Sequence, residues 1–220
     1  MALPYCRRIE VQQKRVILHH PDDILHLELC SPPANKTDRL FFEELTGIIA
    51  DIDRYPETRG LTISGQGRHF SSGADIEELT DRLGQDDAAA ILEATNRSLG
   101  SFQQLAQMHF PVVAAIQGCC LGSGMELALS CHYRICTKNA LFSLPETGFG
   151  LMPGCGGTIR LPRLAGLGKT IELILSGRNL MADDALHLGI VDLITDKNNL
   201  LDTARRLIEK HHKRFPSPKS

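Results

Sequence analysis

The 220-residue sequence contains no tryptophan, and only 5% of its residues are aromatic. Side chains on which nucleic-acid bases could stack are therefore scarce. The formal net charge of -2 lacks the positive excess that is typical of nucleic-acid-binding domains. The sequence also lacks an apolar run of about eighteen residues, which a membrane-spanning helix would need. We therefore expect neither a nucleic acid nor a membrane as a partner.

The seven cysteines are an odd number without the regular spacing of a disulfide framework. This usage is typical of a reducing compartment, and no secretory signal is visible, so we expect a cytoplasmic protein. Potential metal ligands in the middle of the chain are Cys119, Cys120, Cys131, His132 and Cys136. Their spacing matches no paired ligand pattern, so we expect buried apolar thiols and no metal. His19-His20 and His211-His212 are predicted to face solvent.

Segments of strand and helix character alternate along the chain, which predicts an α/β domain. Apolar runs and alternation predict strands at 23–30, 61–64, 111–117, 133–137, 141–144 and 190–194. Helical spacing of apolar residues predicts helices at 38–54, 88–108, 169–175, 182–188 and 200–213, with others starting near Asp75 and after Gly124. Asp38 is expected to cap the first helix. A hydrophobic content of 42% is sufficient for a substantial core.

Two familiar motifs are incomplete in this sequence. Gly166-Leu-Gly-Lys-Thr ends like a phosphate-binding loop, but Arg163 stands where that motif needs its first glycine. We therefore interpret it as a helix start with a capping glycine. Ser123 has Leu121 two residues before it, not glycine, which argues against a serine hydrolase of the common type.

Two glutamates twenty residues apart lie in apolar, glycine-flanked stretches. Glu126 stands in Gly118-Cys-Cys-Leu-Gly-Ser-Gly-Met-Glu-Leu-Ala-Leu, and Glu146 in Leu144-Pro-Glu-Thr-Gly. An unpaired carboxylate is costly to bury, and burial raises the pKa of a carboxyl group toward neutrality. We therefore predict that both groups perform acid–base chemistry.

Three glycine-rich segments, 71–75, 118–124 and 154–157, are each expected to end a strand. Glycine lets the backbone approach a ligand closely. Two of the segments lead into helices, whose first N–H groups have no partner inside the helix. N–H groups from two segments could converge on one oxygen as an oxyanion hole, each contributing about 3 kcal/mol in a transition state.

Taken together, these segments resemble the enoyl-CoA hydratase/isomerase (crotonase) family. The resemblance is carried, in matching order and spacing, by Gly73-Ala-Asp-Ile-Glu-Glu-Leu, Gly122-Ser-Gly-Met-Glu-Leu-Ala-Leu-Ser-Cys, Pro145-Glu and Pro153-Gly-Cys-Gly-Gly-Thr-Ile-Arg-Leu-Pro-Arg. It covers about residues 10–213, and the combined pattern is highly specific. The resemblance implies an α/β fold, a crotonase-like spiral of ββα units with a helical C-terminal region. That fold would form one domain over 1–220, with a core at about 10–195 and a short helical segment at 196–220.

The resemblance also implies a role for individual residues. Ala74 and Ser123 would donate backbone N–H groups to a thioester oxygen. Glu126 would match the residue that activates water, and Glu146 the one that exchanges the α-proton. Contacts to the coenzyme A substrate would come from Ser72, Gly73, Asp75, Ile76, Glu77 and Gly122. No metal or redox cofactor would be required, because coenzyme A is part of the substrate.

Four positions depart from the family pattern. Ser123 replaces a frequent glycine, and its side chain is expected to narrow the pocket. Glu77 stands where a basic residue is common, which would weaken contacts to phosphates. His132 replaces a common aspartate beside Arg134 and is expected to alter a structural ion pair. Gly154 stands where dienoyl isomerases carry an aspartate, which argues against that reaction.

The two retained glutamates favour a 2-enoyl-CoA hydratase, which adds water reversibly, in a syn-type manner, through a stabilised enolate. The alternatives are 3,2-enoyl-CoA isomerisation, dehydration of a carrier-bound acyl group, and acyl-thioester binding without catalysis. The expected partner is an acyl-CoA or an acyl-carrier-protein thioester. Family members usually continue for several more helices that assist trimer formation and close the acyl pocket. We therefore expect a homotrimer or a dimer of trimers, which would be weakened if the C-terminus after Lys213 is truncated.

Overall fold

A computed structural model describes residues 14–77 and 88–215 of the chain. The strands found there are β1 Val16–His19, β2 Ile24–Leu29, β3 Gly60–Gly65, β4 Val112–Ile116, β5 Cys119–Leu121, β6 Tyr133–Thr137, β7 Leu141–Ser143, β8 Leu180–Met181 and β9 Leu193–Thr195. The helices are α1 Arg39–Asp51, α2 Ala88–Ala106, α3 Ser123–Ser130, α4 Gly157–Ala165, α5 Leu167–Ser176, α6 Ala182–His187 and α7 Leu200–His211. Short 3-10 helices cover Ile52–Arg54, Glu146–Phe149, Lys197–Asn199 and His212–Arg214.

The larger sheet has six strands in the order β1-β2-β3-β4-β6-β9. Only β1 and β2 pair antiparallel, and every other neighbour in this sheet is parallel. All five residues of β4 are buried because this central strand is covered on both faces. A smaller sheet has the order β5-β7-β8, and its strand β5 lies within the glycine-rich segment 118–124.

Helices cover both faces of the larger sheet. On one face, α1 buries the stripe Phe41, Leu45 and Ile49. On the other, α7 packs Leu200, Ala204 and Ile208 against the sheet in a second apolar cluster. A Cβ atom on Gly60 would lie 2.3 Å from a methyl carbon of Ile208, so this helix approaches the sheet too closely for a larger residue.

The local predictions are largely confirmed. Asp38 caps α1, with its Oδ1 accepting a hydrogen bond from the Phe41 amide at 2.8 Å. The interpretation of the Gly166 motif is also confirmed, because Gly166 is the N-cap residue directly before α5. Helical residues follow Asp75 as far as residue 77, and the predicted continuation lies outside the described residues.

Some elements were not predicted, and one was misplaced. Strands β1, β5 and β8 and helix α4 are absent from the sequence-based assignment. The strand predicted at 190–194 is wrong in position, since β9 covers Leu193–Thr195. The amides of Ile190 and Val191 instead donate to the carbonyl of Ala185 and close the turn that follows α6.

The two histidine pairs differ from one another. His19 and His20 are exposed, as predicted. The prediction for His211 is wrong: its side chain is turned inward from α7 and its ring stacks on Tyr133 with centroids 4.9 Å apart. His211 follows Ala204 and Ile208 at helical spacing, so it belongs to the buried stripe of α7.

Cys120, Cys131 and Cys136 are buried free thiols, as predicted, whereas Cys119 is only partly buried. Burial raises the pKa of both the Cys131 and the Cys136 thiol to about 12. Across residues 14–77 and 88–215 no group of three or more histidine, cysteine, aspartate or glutamate side chains is arranged to hold a metal ion. Within the same residues, no helix combines the length and the apolarity needed to cross a membrane.

Candidate active site

Segment 70–75 lies between two other parts of the chain, both distant in sequence. On one side, the amide of Thr37 donates to the carbonyl of Gly73 at 2.9 Å. On the other side, the amide of Leu121 donates to the carbonyl of Ser71 at 3.0 Å. The first two glycine-rich segments of the sequence are therefore brought side by side.

The amides of Ala74 and Ser123 are both available at this junction. Ala74 forms a parallel bridge with Thr37. The Gly73 carbonyl faces Thr37, and the C=O and N–H of a trans peptide point in opposite directions. The Ala74 N–H is therefore turned away from Thr37. Ser123 is the first residue of α3, so its N–H has no acceptor within the helix. The geometry agrees with the predicted pair of donors, whose role in binding an oxygen stays a prediction.

Glycine is required where the two segments touch. A Cβ atom on Gly73 would lie 2.7 Å from the carbonyl oxygen of Leu121, and the φ of Gly73 is 89°. A Cβ atom on Gly122, whose φ is 52°, would lie 3.1 Å from Oε1 of Glu146. Larger residues at these positions would separate the segments or displace the carboxyl group. Glu146 therefore lies beside the junction.

Glu126 is 1% exposed and lies in the first turn of α3. Its Oε1 accepts two backbone hydrogen bonds, from the amides of Cys155 and Gly157, each at 2.8 Å. Burial raises the pKa of Glu126, whereas the two amides and the charge of Arg160 act in the opposite direction. This environment withdraws the carboxylate from water and still provides partners for its negative charge.

Glu146 lies in the 3-10 helix Glu146–Phe149 and has a different environment. Its Oε2 is buried and has no hydrogen-bond partner among the described residues. Burial raises the pKa of Glu146 to about 7. A hydrogen bond from the residue's own backbone opposes this rise, and the negative charge of Glu126 adds to it. A carboxyl group with this pKa can give and accept a proton near neutral pH.

The remaining predicted substrate contacts extend from the junction toward solvent. Ser72 is half-buried and donates its amide to the carbonyl of Ala34 at 2.8 Å. Asp75 pairs with Lys36 at 3.0 Å, and Ile76 and Glu77 are exposed. Ser72 to Glu77 thus form a strip that leads from the buried amides to the surface, and their contact with coenzyme A stays a prediction.

The third glycine-rich segment has a different place from the one predicted. Residues 154–157 do not end a strand; they follow the 3-10 helix at Glu146 and lead into α4. Gly156 has a φ of 103°, a conformation that L side chains rarely adopt. The segment supplies Glu126 with its two amide donors, so it serves a carboxylate of the site and not the junction of the first two segments.

Sequence reasoning missed two side chains near the site. Arg160 donates from Nη1 to the carbonyl of Cys155 at 2.8 Å, which fixes the turn that holds Glu126. Thr37 contacts both the 71–75 segment and Ser123. The Arg in Gly-Gly-Thr-Ile-Arg was visible in the motif, whereas the position of Thr37 outside any motif gave no indication of its contacts.

The expected change at His132 takes a specific form. Arg134 pairs with Asp192, 58 residues away, at 3.3 Å, and donates its backbone amide to the same carboxylate at 2.7 Å. His132 instead accepts the amide of Val112 through Nδ1 at 3.0 Å. The ion pair of Arg134 is thus made with a residue from outside the motif.

Comparison with known proteins adds to this geometry. A family model described as Enoyl-CoA hydratase/isomerase matches residues 20–217. The chain belongs to the enoyl-CoA hydratase/isomerase family. A Bacillus subtilis protein named "Probable enoyl-CoA hydratase" is 37% identical over 191 residues, covering 86% of this chain and 73% of that protein. The "Fatty acid oxidation complex subunit alpha" of Vibrio cholerae is 42% identical over 195 residues. The match covers 86% of this chain and 27% of that subunit.

Solved structures of similar proteins confirm the crotonase-like α/β fold. The crystal structure of an enoyl-CoA hydratase from Bacillus anthracis gives a TM-score of 0.82 at 33% identity, covering 89% of this chain and 76% of that one. The structure of Pseudomonas aeruginosa DspI gives a TM-score of 0.84 at 31% identity, covering 92% and 82%. The family resemblance read from the motifs is thereby confirmed, while the reaction within the family is a matter for proposal.

Proposed function

We propose that this family member is a 2-enoyl-CoA hydratase, which adds water reversibly across the double bond of a 2-enoyl thioester. The observation that carries the proposal is the pair of carboxyl groups at one site, with opposite surroundings. Glu126 has two amide donors for its negative charge, and Glu146 has a pKa of about 7 and an unpartnered oxygen. Addition of water needs such a base and such an acid on the two carbons of one double bond.

In the proposed reaction, Glu126 removes a proton from water while the hydroxide oxygen bonds to C3 of the acyl group. The electron pair of the double bond moves toward the thioester, and negative charge develops on its oxygen. The N–H groups of Ala74 and Ser123 stabilise that charge as an oxyanion hole. Glu146 then gives its proton to C2. Hydration leaves Glu126 protonated and Glu146 ionised, and proton exchange with water restores the starting state.

A second reaction is favoured by one feature of Glu146. Its lone buried oxygen and pKa of about 7 suit a single carboxyl group that removes a proton from one carbon and returns it to another. That chemistry is 3,2-enoyl isomerisation, which needs no attack by water and therefore no role for Glu126. Retention of a buried, amide-held Glu126 is the reason that hydration is preferred.

A panel of thioesters tests the proposal. Purified protein is incubated with 2-enoyl, 3-enoyl and 3-hydroxyacyl thioesters of coenzyme A, and products are identified by mass spectrometry in oxygen-18 water. Hydration predicts incorporation of labelled oxygen at C3 from 2-enoyl-CoA. A double-bond shift without label would support isomerisation and overturn the hydratase proposal. Binding by calorimetry without any product would identify an acyl-thioester binding protein.

The carrier, the assembly and the location are also part of the proposal. Parallel assays with coenzyme A and acyl-carrier-protein thioesters, including 3-hydroxyacyl dehydration, identify the carrier and the direction. Leu167, Ile171 and Leu175 are 66%, 49% and 67% exposed at helical spacing on α5, which supports an assembly of copies of this chain. Light scattering would distinguish the homotrimer or dimer of trimers from a monomer. Free thiols support a reducing, cytoplasmic location, which fractionation would test.

A further inference from the structure

We propose that Thr37 is a positioning residue that holds the two oxyanion-hole amides at a fixed separation. The proposal rests on the proposed function, since it concerns the same site. Thr37 precedes α1 and belongs to neither glycine-rich segment. It nevertheless contacts the segment of each donor, one through its backbone and the other through its side chain.

The backbone of Thr37 holds the first donor. Its amide donates to the carbonyl of Gly73 at 2.9 Å, and Thr37 and Ala74 form a parallel bridge. This bridge sets the direction of the peptide plane that carries the Ala74 N–H. The contact uses only backbone atoms, so it persists when the Thr37 side chain is changed.

The side chain of Thr37 holds the second donor. Its Oγ1 lies 2.5 Å from Oγ of Ser123, and the two residues are 4% and 7% exposed. One hydroxyl donates to the other in a buried site, where an unmade hydrogen bond is costly. The hydroxyl of Ser123 is thereby directed at Thr37, although the sequence suggested that this side chain would narrow the pocket. Thr37 thus connects the two segments that carry the N–H groups of residues 74 and 123.

The link matters because oxyanion stabilisation depends on donor geometry. Donors act on the charge that develops in the transition state only when both lie at hydrogen-bonding distance from the same oxygen. A displacement of about 1 Å can lower a rate by about a hundredfold. Ser123 stands where glycine is frequent in the family, so the hydroxyl pair is a property of this chain and can be removed from either side.

A double-mutant cycle tests the proposal. Thr37→Val keeps the shape of the side chain and removes its hydroxyl, Thr37→Ser keeps the hydroxyl, and Ser123→Gly removes the partner. We expect Thr37→Val to lower kcat about tenfold with KM changed less than about twofold. Thr37→Ser should stay within about twofold of wild type. In the Ser123→Gly background, Thr37→Val should cost less than about a further twofold.

Two outcomes of the cycle would overturn the proposal. One is an equal loss of kcat from Thr37→Val in both backgrounds, which would mean that Thr37 acts through packing or another contact. The other is full activity of Thr37→Val. Should Thr37→Val fail to give the wild-type circular dichroism spectrum, Ser123→Ala removes the same hydrogen bond and keeps the amide. The same tenfold loss is then expected, and its absence would count against Thr37.

A second measurement separates this proposal from the proposed function. The infrared carbonyl band of a bound acyl-CoA labelled with carbon-13 at the thioester reports polarisation without turnover. We expect a shift to lower frequency in wild type and Thr37→Ser, and a smaller shift in Thr37→Val. If wild type shows the shift but hydrates no substrate, the hydratase proposal fails while the comparison still decides the role of Thr37. Equal shifts in wild type and Thr37→Val would overturn the role of Thr37, and no shift in wild type would overturn both.

Discussion

Glu126 and Glu146 are the same residue type at one site, yet the regions around them differ. Glu126 lies on α3 and faces the turn before α4, whose amides donate to it. Glu146 lies on a short 3-10 helix, beside Gly122, with a buried oxygen that accepts no hydrogen bond from the described residues. Burial raises the pKa of both carboxyl groups. At Glu126 two amides from a distant segment and a nearby arginine oppose that rise, whereas at Glu146 only a hydrogen bond from its own backbone does so.

This difference teaches how a fold can divide two roles between chemically identical groups. The penalty for burying a charge is common to both residues, so it cannot distinguish them. The distinction comes from donors aimed at one carboxylate and from the negative charge of that carboxylate acting on the other. In the proposed reaction, the first group is the base and the second the acid. Four predictions test this division, beginning with the largest effect.

Glu146→Gln should lower the rate of 2-enoyl-CoA hydration by about a thousandfold, because the amide cannot supply a proton to C2. Steady-state kinetics with crotonyl-CoA and circular dichroism measure activity and fold. Glu209→Gln, an exposed change on α7, is the control and should leave activity unchanged. Turnover of Glu146→Gln close to that of wild type would remove Glu146 from the mechanism.

Gly157→Ala should lower kcat by about tenfold to a hundredfold. The added Cβ atom would lie 3.0 Å from Oε1 and 3.1 Å from Cγ of Glu126, so the carboxylate must move. Gly168→Ala is a matched control on α5, where a Cβ atom meets nothing within 4 Å. This control should keep full activity and raise the free energy of unfolding by about 0.5–1 kcal/mol. Equal activity of the two variants would show that Glu126 needs no fixed position.

Arg160→Gln should lower kcat/KM severalfold at acid pH. Loss of the guanidinium removes a charge that opposes the rise in the pKa of Glu126, so that pKa should rise further. Because the proposed base must be ionised, the acid limb of the profile should move to higher pH. The limb near pH 7, assigned to Glu146, should move less. Arg163→Gln, an exposed change on the same helix, should leave both limbs in place; an equal shift there would point to a general charge effect.

Glu146→Gln should also stabilise the protein above about pH 7. The gain in the free energy of unfolding should be only on the order of 1 kcal/mol, because solvent reaches part of this side chain. The pKa of Glu146 is raised from 4.5 to about 7, so between these values the folded state binds more protons than the unfolded state. The free energy of unfolding of wild type therefore falls as pH rises through this range. The advantage of Glu146→Gln should be small near pH 4.5 and full above pH 7 in urea titrations. A constant difference across this range would contradict the raised pKa.

The reach of sequence reasoning is visible in particular elements. Helix α1, with its Asp38 cap and apolar stripe, could be predicted because a cap and a 3.6-residue period are local properties. Strand β8 has two residues and β5 has three, and such short strands exist only because neighbouring segments pair with them. Ile190 and Val191 carry the composition of a strand, but tertiary packing uses them to close a turn.

The sequence alone determined the family and the two glutamates, because glycine-rich motifs and apolar surroundings are written in consecutive residues. Only the tertiary structure decided which glutamate receives amide donors from a distant segment. It also decided that Oγ1 of Thr37 lies 2.5 Å from Oγ of Ser123, 86 residues away in the chain. Hydrogen bonds and desolvation depend on which surfaces meet after folding. The pKa of a carboxyl group and the spacing of two amides therefore follow from packing between distant segments, which no local pattern contains.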